Sequence, residues 1–310
     1  MARSMKSRSL TGVADLTAEE MWRIWELTAD LKRRGKTHEP HHLLAGRSLA
    51  MIFEKPSART RISFEVGMTQ LGGHALYLSP ADIGLGKRES VADVARVVGR
   101  MCDAIMARVF EHQKITELAL YAGVPVINGL SDEEHPCQAL GDLFTLWEQR
   151  GTLRGLRLAW IGDGNNVCNS LMIAAATVGM HMTVITPPDF DPKPQYVKIA
   201  QARAAATGAE LTFNHDPAAV KGADAIYTDV WASMGQESEA AARKAIFAPY
   251  QVNTALVDQA GPDTLVLHCL PAHRGDEITD EVMDGPHAVV FEQAENRLHA
   301  QKAVMALLIP

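Results

Sequence analysis

Short apolar runs that alternate with helix-period segments leave this chain few folds to choose from. Residues 48–53 (SLAMIF), 74–78, 103–107 and 124–127 read as strands, each apolar and bounded by turn-forming residues. Helical segments near 59–71, 90–101 and 113–122 separate them. A helix over 136–150, stopped by Gly151, leads into a second series. That series holds a strand within LRLAWIGDG (156–164), a helix from 166, a strand at 181–186 and a helix at 195–207. Strands at 210–213, 223–228, 264–269 and 287–291 follow, and a long amphipathic helix over 292–308 ends the chain. Strands separated by helices pair in parallel through right-handed crossovers. The expected fold is therefore α/β, two doubly wound parallel-sheet domains joined by helices, with the active site in the cleft between them.

At roughly 150 residues per domain, 310 residues also suggest two domains. The expected spans are 1–140 and 150–290, with 136–150 as the connecting helix. Near the start, Thr17 and Glu20 form a capping box, Leu16 and Met21 a staple, and Met21, Ile24, Trp25, Leu27 and Leu31 carry a helix to about Gly35. A formal charge of -7 excludes the basic field of a phosphate-tracking nucleic-acid binder. Cys102, Cys137, Cys168 and Cys269 are widely spaced with no CxxC pair, and no secretory signal or long apolar span is visible. Reduced thiols and a cytoplasmic location are the expectation.

In a net-acidic chain a local basic cluster reads as a small-anion site. FEKPSARTR (53–61) places Lys55, Arg59 and Arg61 around Ser57 and Thr60, where a strand gives way to a helix. A helix N-terminus at the carboxyl edge of a parallel sheet offers unpaired N–H groups, hydroxyls donate, and a guanidinium can fork onto two phosphate oxygens. Arg108, after the strand 103–107, stands at the same edge. The rival reading lies in GDGNNV (162–167), which follows a strand and opens a helix as a dinucleotide-binding turn does. Val167 occupies the third glycine position, and the next strand ends at Thr186-Pro187 without an acid for a ribose hydroxyl, which weakens a nicotinamide-dependent dehydrogenase.

These residues together resemble the aspartate/ornithine carbamoyltransferase family, and its ornithine branch in particular. FEKPSARTR is similar to the family's S-x-R-T-R motif and HPCQ (135–138) to its H-P-x-Q motif. DVWASMGQE (229–237) and HCLPAHRGDEI (268–278) are similar to the ornithine-branch motifs, and the likeness spans nearly the whole chain in the family's order. The resemblance implies transfer of a carbamoyl group from carbamoyl phosphate to the side-chain amine of L-ornithine, without metal or cofactor. Residues 1–140 would bind carbamoyl phosphate, with 292–310 packing back on them, and 150–290 would bind ornithine.

By the same resemblance, Ser57, Ala58, Arg59, Thr60 and Arg108 would hold the phosphate. His135, Gln138 and Arg297 would hold the carbamoyl group, and Cys269 and Leu270 would contact the reacting end of both substrates. Arg108, His135, Cys269 and Arg297 carry the expected catalytic roles. Asn166, Asp229, Ser233 and Met234 would bind ornithine, and Met234 and Gly235 resemble a loop that closes as a lid over it, since 235–245 lacks a buried apolar pattern. Leu270-Pro271 would be a cis step. A related amine such as putrescine or N-acetylornithine is the nearest alternative substrate, and a non-catalytic amino-acid sensor is a third reading that the intact motifs disfavour. Family members form homotrimers whose sites lie near subunit interfaces. Gly84 departs from the side chain that relatives carry in that loop, which leaves Lys87 as the candidate to reach a neighbour.

Overall fold

The computed structural model describes residues 4–232 and 237–310. The chain divides into two compact units, the first running to Phe144 and rejoined by Asn296–Pro310, the second spanning Thr145–Glu295. Each unit holds one all-parallel sheet.

The first sheet contains β1 (Ser48–Phe53), β2 (His74–Leu78), β3 (Ala104–Arg108) and β4 (Val126–Leu130), in the order β2-β1-β3-β4. Its helices are α1 (Ala18–Lys36), α2 (Ala58–Gln70), α3 (Pro80–Ile83), α4 (Val91–Val98), α5 (His112–Tyr121) and the start of α6 (Pro136–Arg150). Thr17 and Glu20 close the expected capping box on α1, with Glu20 N–H donating to Thr17 Oγ1 at 3.2 Å and Thr17 N–H to Glu20 Oε2 at 3.0 Å. β3 is buried along its whole length and β1 beyond its first residue, as parallel strands covered on both faces must be. Ile52, Ile105 and Val126 of the strands pack with Val94, Ile115 and Leu118 of α4 and α5 in one core.

The second sheet holds β5 (Arg157–Ile161), β6 (His181–Ile185), β7 (Leu211–Asn214), β8 (Ala225–Thr228) and β9 (Leu265–His268), in the order β7-β6-β5-β8-β9. Its helices are α7 (Asn166–Thr177), α8 (Pro194–Thr207), α9 (Ala240–Phe247), α10 (Thr254–Ala260) and α11 (Asp280–Met283); α12 (Val290–Leu308) begins here and ends in the first unit. Ile161, Ile226 and Val266 pack against Leu256, Val257, Ile278 and Val290. Strand order reverses between β1 and β3 and again between β5 and β8. Ligands in open α/β sheets bind beyond the carboxyl ends of the strands at such reversals, so each unit has one preferred place for a site.

Three expectations need correction. Residues 287–291 do not form a strand. They supply a single rung, Val266 with Ala288, and from Val290 the backbone enters α12, which buries Val290 and leaves Phe291 exposed. Five apolar residues cannot by periodicity tell a buried strand from a helix start. The fourth strand begins at Val126 rather than 124, after Pro125, which has no N–H to donate. The helix after Ser90 stops at Val98: beyond it the bonds tighten, with Arg100 N–H donating to the Val97 carbonyl and Met101 N–H to the Val98 carbonyl, and Gly99 packs on Ala122, whose carbonyl oxygen would lie 1.9 Å from a Cβ at that position. No helix among the described residues is long and apolar enough to cross a membrane.

Candidate active site

Both strand-order reversals are lined by residues that the sequence singled out. In the first unit, Phe53 at the end of β1 pairs in register with Arg108 at the end of β3, and the N–H of Glu54 donates to the Arg108 carbonyl at 2.8 Å. The chain then enters α2 through Ser57, whose Oγ caps the helix by accepting from Thr60 N–H at 3.3 Å. The N-terminal amides of α2 therefore open onto the edge where Arg108 ends its strand.

The three cations of FEKPSARTR have different fates. Lys55 is buried, ion-paired with Asp132, and lies 4.4 Å from the Phe110 ring centroid. Arg61 is exposed, pairs with Glu65 at 3.0 Å and stacks on Tyr77 at 4.1 Å. Arg59 is half-buried, and its guanidinium takes no hydrogen-bond or ion-pair partner among the described residues. The expected cluster of cations thus reduces to one available guanidinium beside the helix N-terminus, with Arg108, only 7% exposed, on the neighbouring strand.

His135 sits at the entry to α6, ahead of Pro136 at the first helical position, where a missing N–H costs nothing. Burial, with the charges of Arg297 and Arg108, holds its imidazole well below the usual histidine range. It is therefore neutral near pH 7 and keeps one N–H to donate. Unfolding restores a pKa of about 6.5 and takes up a proton as the pH falls through that value. The stability that the neutral ring contributes is thus present above about 6.5 and is lost on acidification, with a slope of about 1.4 kcal/mol per pH unit for one proton. His135→Gln should flatten the fall of unfolding free energy below that pH by one proton, measured in urea titrations at stepped pH.

Gln138, one turn further along α6, donates from Nε2 to Asp142 Oδ1 at 2.8 Å. That bond sets the amide's orientation and leaves Oε1 as a buried acceptor with no protein partner among the described residues. Arg297 comes from α12, is 4% exposed, and donates from Nη2 to Thr60 Oγ1 at 3.2 Å. Gly141 of α6 admits it, since a Cβ there would meet Arg297 Cγ at 3.2 Å. Cys137 plays no chemical part: it is buried, and burial pushes its thiol up to about 12. The first unit thus holds Ser57, Ala58, Arg59, Thr60, Arg108, His135, Gln138 and Arg297 around its strand-order reversal, a set with cationic, hydroxyl and N–H donors, a neutral imidazole and one carbonyl acceptor without a protein partner among the described residues.

In the second unit, Asp229 follows β8 and lies beside the end of β5. Its Oδ2 accepts from Asn165 Nδ2 at 2.7 Å, and its Oδ1 accepts from Val230 N–H at 2.8 Å and from the Cys269 thiol at 2.9 Å. Asn165 is also the cap of α7, its Oδ1 accepting from Val167 and Cys168 N–H. One asparagine thus ties the start of α7, where Asn166 stands, to the carboxylate. The sequence reads Asn165 with Asn166 as polar ligands at a helix start; in the structure the Asn165 amide is spent on the α7 cap and on Asp229, a reach that no local signal states.

Cys269 is half-buried at the end of β9, next to Leu270, which has a φ of 62° and precedes the cis peptide bond to Pro271. A leucine in the left-handed region is held there against a local cost. His268 does the holding: its Nδ1 accepts from Leu270 N–H at 2.8 Å, and its Nε2–H donates to buried Glu277 at 3.0 Å. Ligand atoms of Asp229, His268 and Cys269 lie within 4.8 Å of one another. Both imidazole nitrogens are already engaged, so the arrangement reads as a polar brace. Ser233 and Met234 lie outside the described residues. Of the segment read as a lid, 240–247 is helical, buries only Phe247, and is tethered by Arg243, which pairs with Asp163 at 2.9 Å and donates to the Trp231 carbonyl at 3.0 Å.

The glycine turn after β5 has a structural cause. The N–H of Gly164 donates to the Phe190 carbonyl at 2.9 Å, and a Cβ at 164 would lie 2.3 Å from Pro192 N and 2.6 Å from the Phe190 oxygen. Protein backbone covers the approach that a dinucleotide's pyrophosphate would need. Gly164→Ala should cost about 1–3 kcal/mol through overpacking against rigid backbone, seen as a lower urea midpoint.

Residues 8–148 match the carbamoyl-P binding domain of the aspartate/ornithine carbamoyltransferases, and residues 154–308 match the family's Asp/Orn binding domain. The second match runs to 308 along the chain, whereas by contacts Asn296 onward belongs to the first unit. The chain is 56% identical to the ornithine carbamoyltransferase of Pyrococcus abyssi over 310 residues, covering all of this chain and 98% of that one. The solved ornithine carbamoyltransferase of Pyrococcus furiosus matches with a TM-score of 0.97 at 55% identity over 99% of both chains. That of Gloeobacter violaceus matches with 0.89 at 44% identity, over 99% of this chain and 100% of its own. With both domains matched in order, the chain belongs to the aspartate/ornithine carbamoyltransferase family.

Proposed function

We propose that the chain transfers the carbamoyl group of carbamoyl phosphate to the side-chain amine of L-ornithine, giving L-citrulline and phosphate. The observation that carries this reading is the β1/β3 reversal, where an open helix N-terminus, the partner-free Arg59 and the buried Arg108 stand together with neutral His135, Gln138 and Arg297. The phosphate rests on the Ser57–Thr60 amides and hydroxyls and on the two guanidinium groups. The carbamoyl oxygen accepts from His135 and Arg297, and the carbamoyl nitrogen donates to Gln138 Oε1.

The amine nitrogen bonds to the carbonyl carbon, the carbon–oxygen bond to phosphate breaks, and the amine proton is lost. Charge grows on the carbonyl oxygen and then on the departing phosphate, so donors fixed in advance at both places favour the transition state over the ground state. Holding both substrates removes much of the entropy cost of their meeting. A lysine-like amine is mostly protonated near neutral pH and must shed that proton to attack. Asp229, with Cys269 on its Oδ1, is the carboxylate that steers a cationic amine, and Asn166 meets the amino-acid end. Phosphate release from carbamoyl phosphate with ornithine, putrescine, N-acetylornithine or aspartate as acceptor tests the reading: ornithine should give the highest kcat/KM, with citrulline as its product, and equal rates across the panel would refute it.

We also propose a cytoplasmic homotrimer with sites near the subunit interfaces. The family resemblance supports it, and the loop concerned lies between α3 and α4, where Gly84 and Gly86 take left-handed backbone and Lys87 and Arg88 are exposed. Sedimentation velocity should give three times the chain mass, and a fully active monomer would rule the trimer out.

A further inference from the structure

Helix α12, which delivers Arg297, also buries a second cation. Lys302 has no accessible surface, and no carboxylate among the described residues pairs with its ammonium. Its Nζ instead donates to the Leu31 carbonyl on α1 at 3.3 Å, to His41 Nε2 at 3.2 Å and to Gln70 Oε1 at 2.8 Å. His41 is an acceptor here because its Nδ1 lies 2.8 Å from the Glu39 carbonyl, which can only accept, so Nδ1 carries the proton. Three acceptors use the three N–H bonds of an ammonium. Among the basic groups nearby, Lys32 donates to Asn296 Oδ1 at 2.7 Å, and the His299 ring and Lys302 Nζ each lie 3.7 Å from where a Cβ on Gly35 would stand.

A buried charge without a counter-charge is costly, and burial pushes this ammonium down to about 8. An apolar side chain would relieve that cost but leave the Leu31 carbonyl, His41 Nε2 and Gln70 Oε1 without a donor. What the lysine adds is position. Gln70 is the last residue of α2, and Thr60, in the first turn of α2, takes the bond from Arg297. Helix α12 therefore grips α2 at both ends. Between the grips the helices touch directly: a Cβ at Gly67 would lie 3.1 Å from Lys302 Cγ and from Met305 Cε. An α-helix of 13 residues is a stiff rod, so a shift at Gln70 is felt at Ser57.

We propose that Lys302 is a positioning residue for the reaction: by holding Gln70 it sets where α2 stands along its axis, and with it the Ser57–Thr60 cradle. The inference rests on reading that cradle as the carbamoyl-phosphate site. Steady-state kinetics of Lys302→Met and Gln70→Leu, with each substrate varied in turn, test it. In Lys302→Met the KM for carbamoyl phosphate should rise about tenfold, as small misplacements of a binding group do. The KM for ornithine should stay within about twofold, and the urea midpoint should fall because three acceptors lose their donor. Gln70→Leu should move the same constant in the same direction by less. An unchanged carbamoyl-phosphate KM in Lys302→Met overturns the inference, whatever its stability; if that variant does not fold, an unchanged KM in Gln70→Leu does so. Wild-type protein that forms no citrulline refutes the function itself, whereas active wild type with unaffected variants refutes only the role of Lys302.

Discussion

Arg59→Ala should lower kcat/KM for carbamoyl phosphate by about 10²–10³-fold, as loss of one preorganised donor to a developing anion does in other enzymes. The unfolding midpoint should hardly move. Both halves of that expectation come from the same observation: the Arg59 guanidinium has no partner among the described residues, so nothing in the folded protein is broken by removing it. Arg59 stands in the first turn of α2, which follows β1, and Arg108 ends the neighbouring β3, so the helix N-terminus there favours an anion. Arg61→Ala is the matched control. Its guanidinium is spent on Glu65 and on the face of Tyr77, and both contacts are exposed, so activity should change by less than about threefold and stability by no more than ~1 kcal/mol. Rate constants for the two variants at saturating amine decide the matter; equal losses, or none for Arg59, would remove Arg59 from the phosphate cradle.

That contrast also marks how far the sequence could be read. The alternation of strands and helices was legible because apolar runs and helical periods are local signals. So was the capping box of Thr17 and Glu20, since the residues that make it are three apart. Which cation of FEKPSARTR stays available was not legible. Lys55 is claimed by Asp132 and Phe110, brought near only by the pairing of β1 with β3 and β3 with β4. The same limit hid the second half of the site. Asn165 was readable as a helix start, but its bond to Asp229 exists because β8 lies beside β5, a neighbour relation that periodicity does not state. His268 and Glu277 sit nine positions apart within one quoted motif, yet their role in holding Leu270 depends on a turn that no local signal specifies. The missed helix start at Val290 shows the converse: a short apolar run with one rung to offer carries no information on which ladder takes its amides.

Asp229→Asn is the change expected to cost most on the amine side. The side chain keeps its shape but loses more than a charge. Both carboxylate oxygens are acceptors, one for Asn165 Nδ2 and the other for Val230 N–H and the Cys269 thiol. An amide replaces one acceptor with a donor, so whichever way it is flipped, a donor faces a donor in a site only 7% exposed. Rotation of the amide, or of Asn165, then loosens the cap of α7 and with it the placement of Asn166. The steering charge for a cationic amine is lost as well. Together these should reduce kcat/KM for ornithine by on the order of 10³-fold. The KM for carbamoyl phosphate should move little, since Ser57, Arg59, Thr60 and Arg108 all belong to the other unit. The loss should ease for an amine substrate with a lower pKa, because less of it must be held as a cation and deprotonated. A variant that binds both substrates normally but turns over slowly would instead assign Asp229 to proton removal alone, and unchanged ornithine kinetics would take it out of the site.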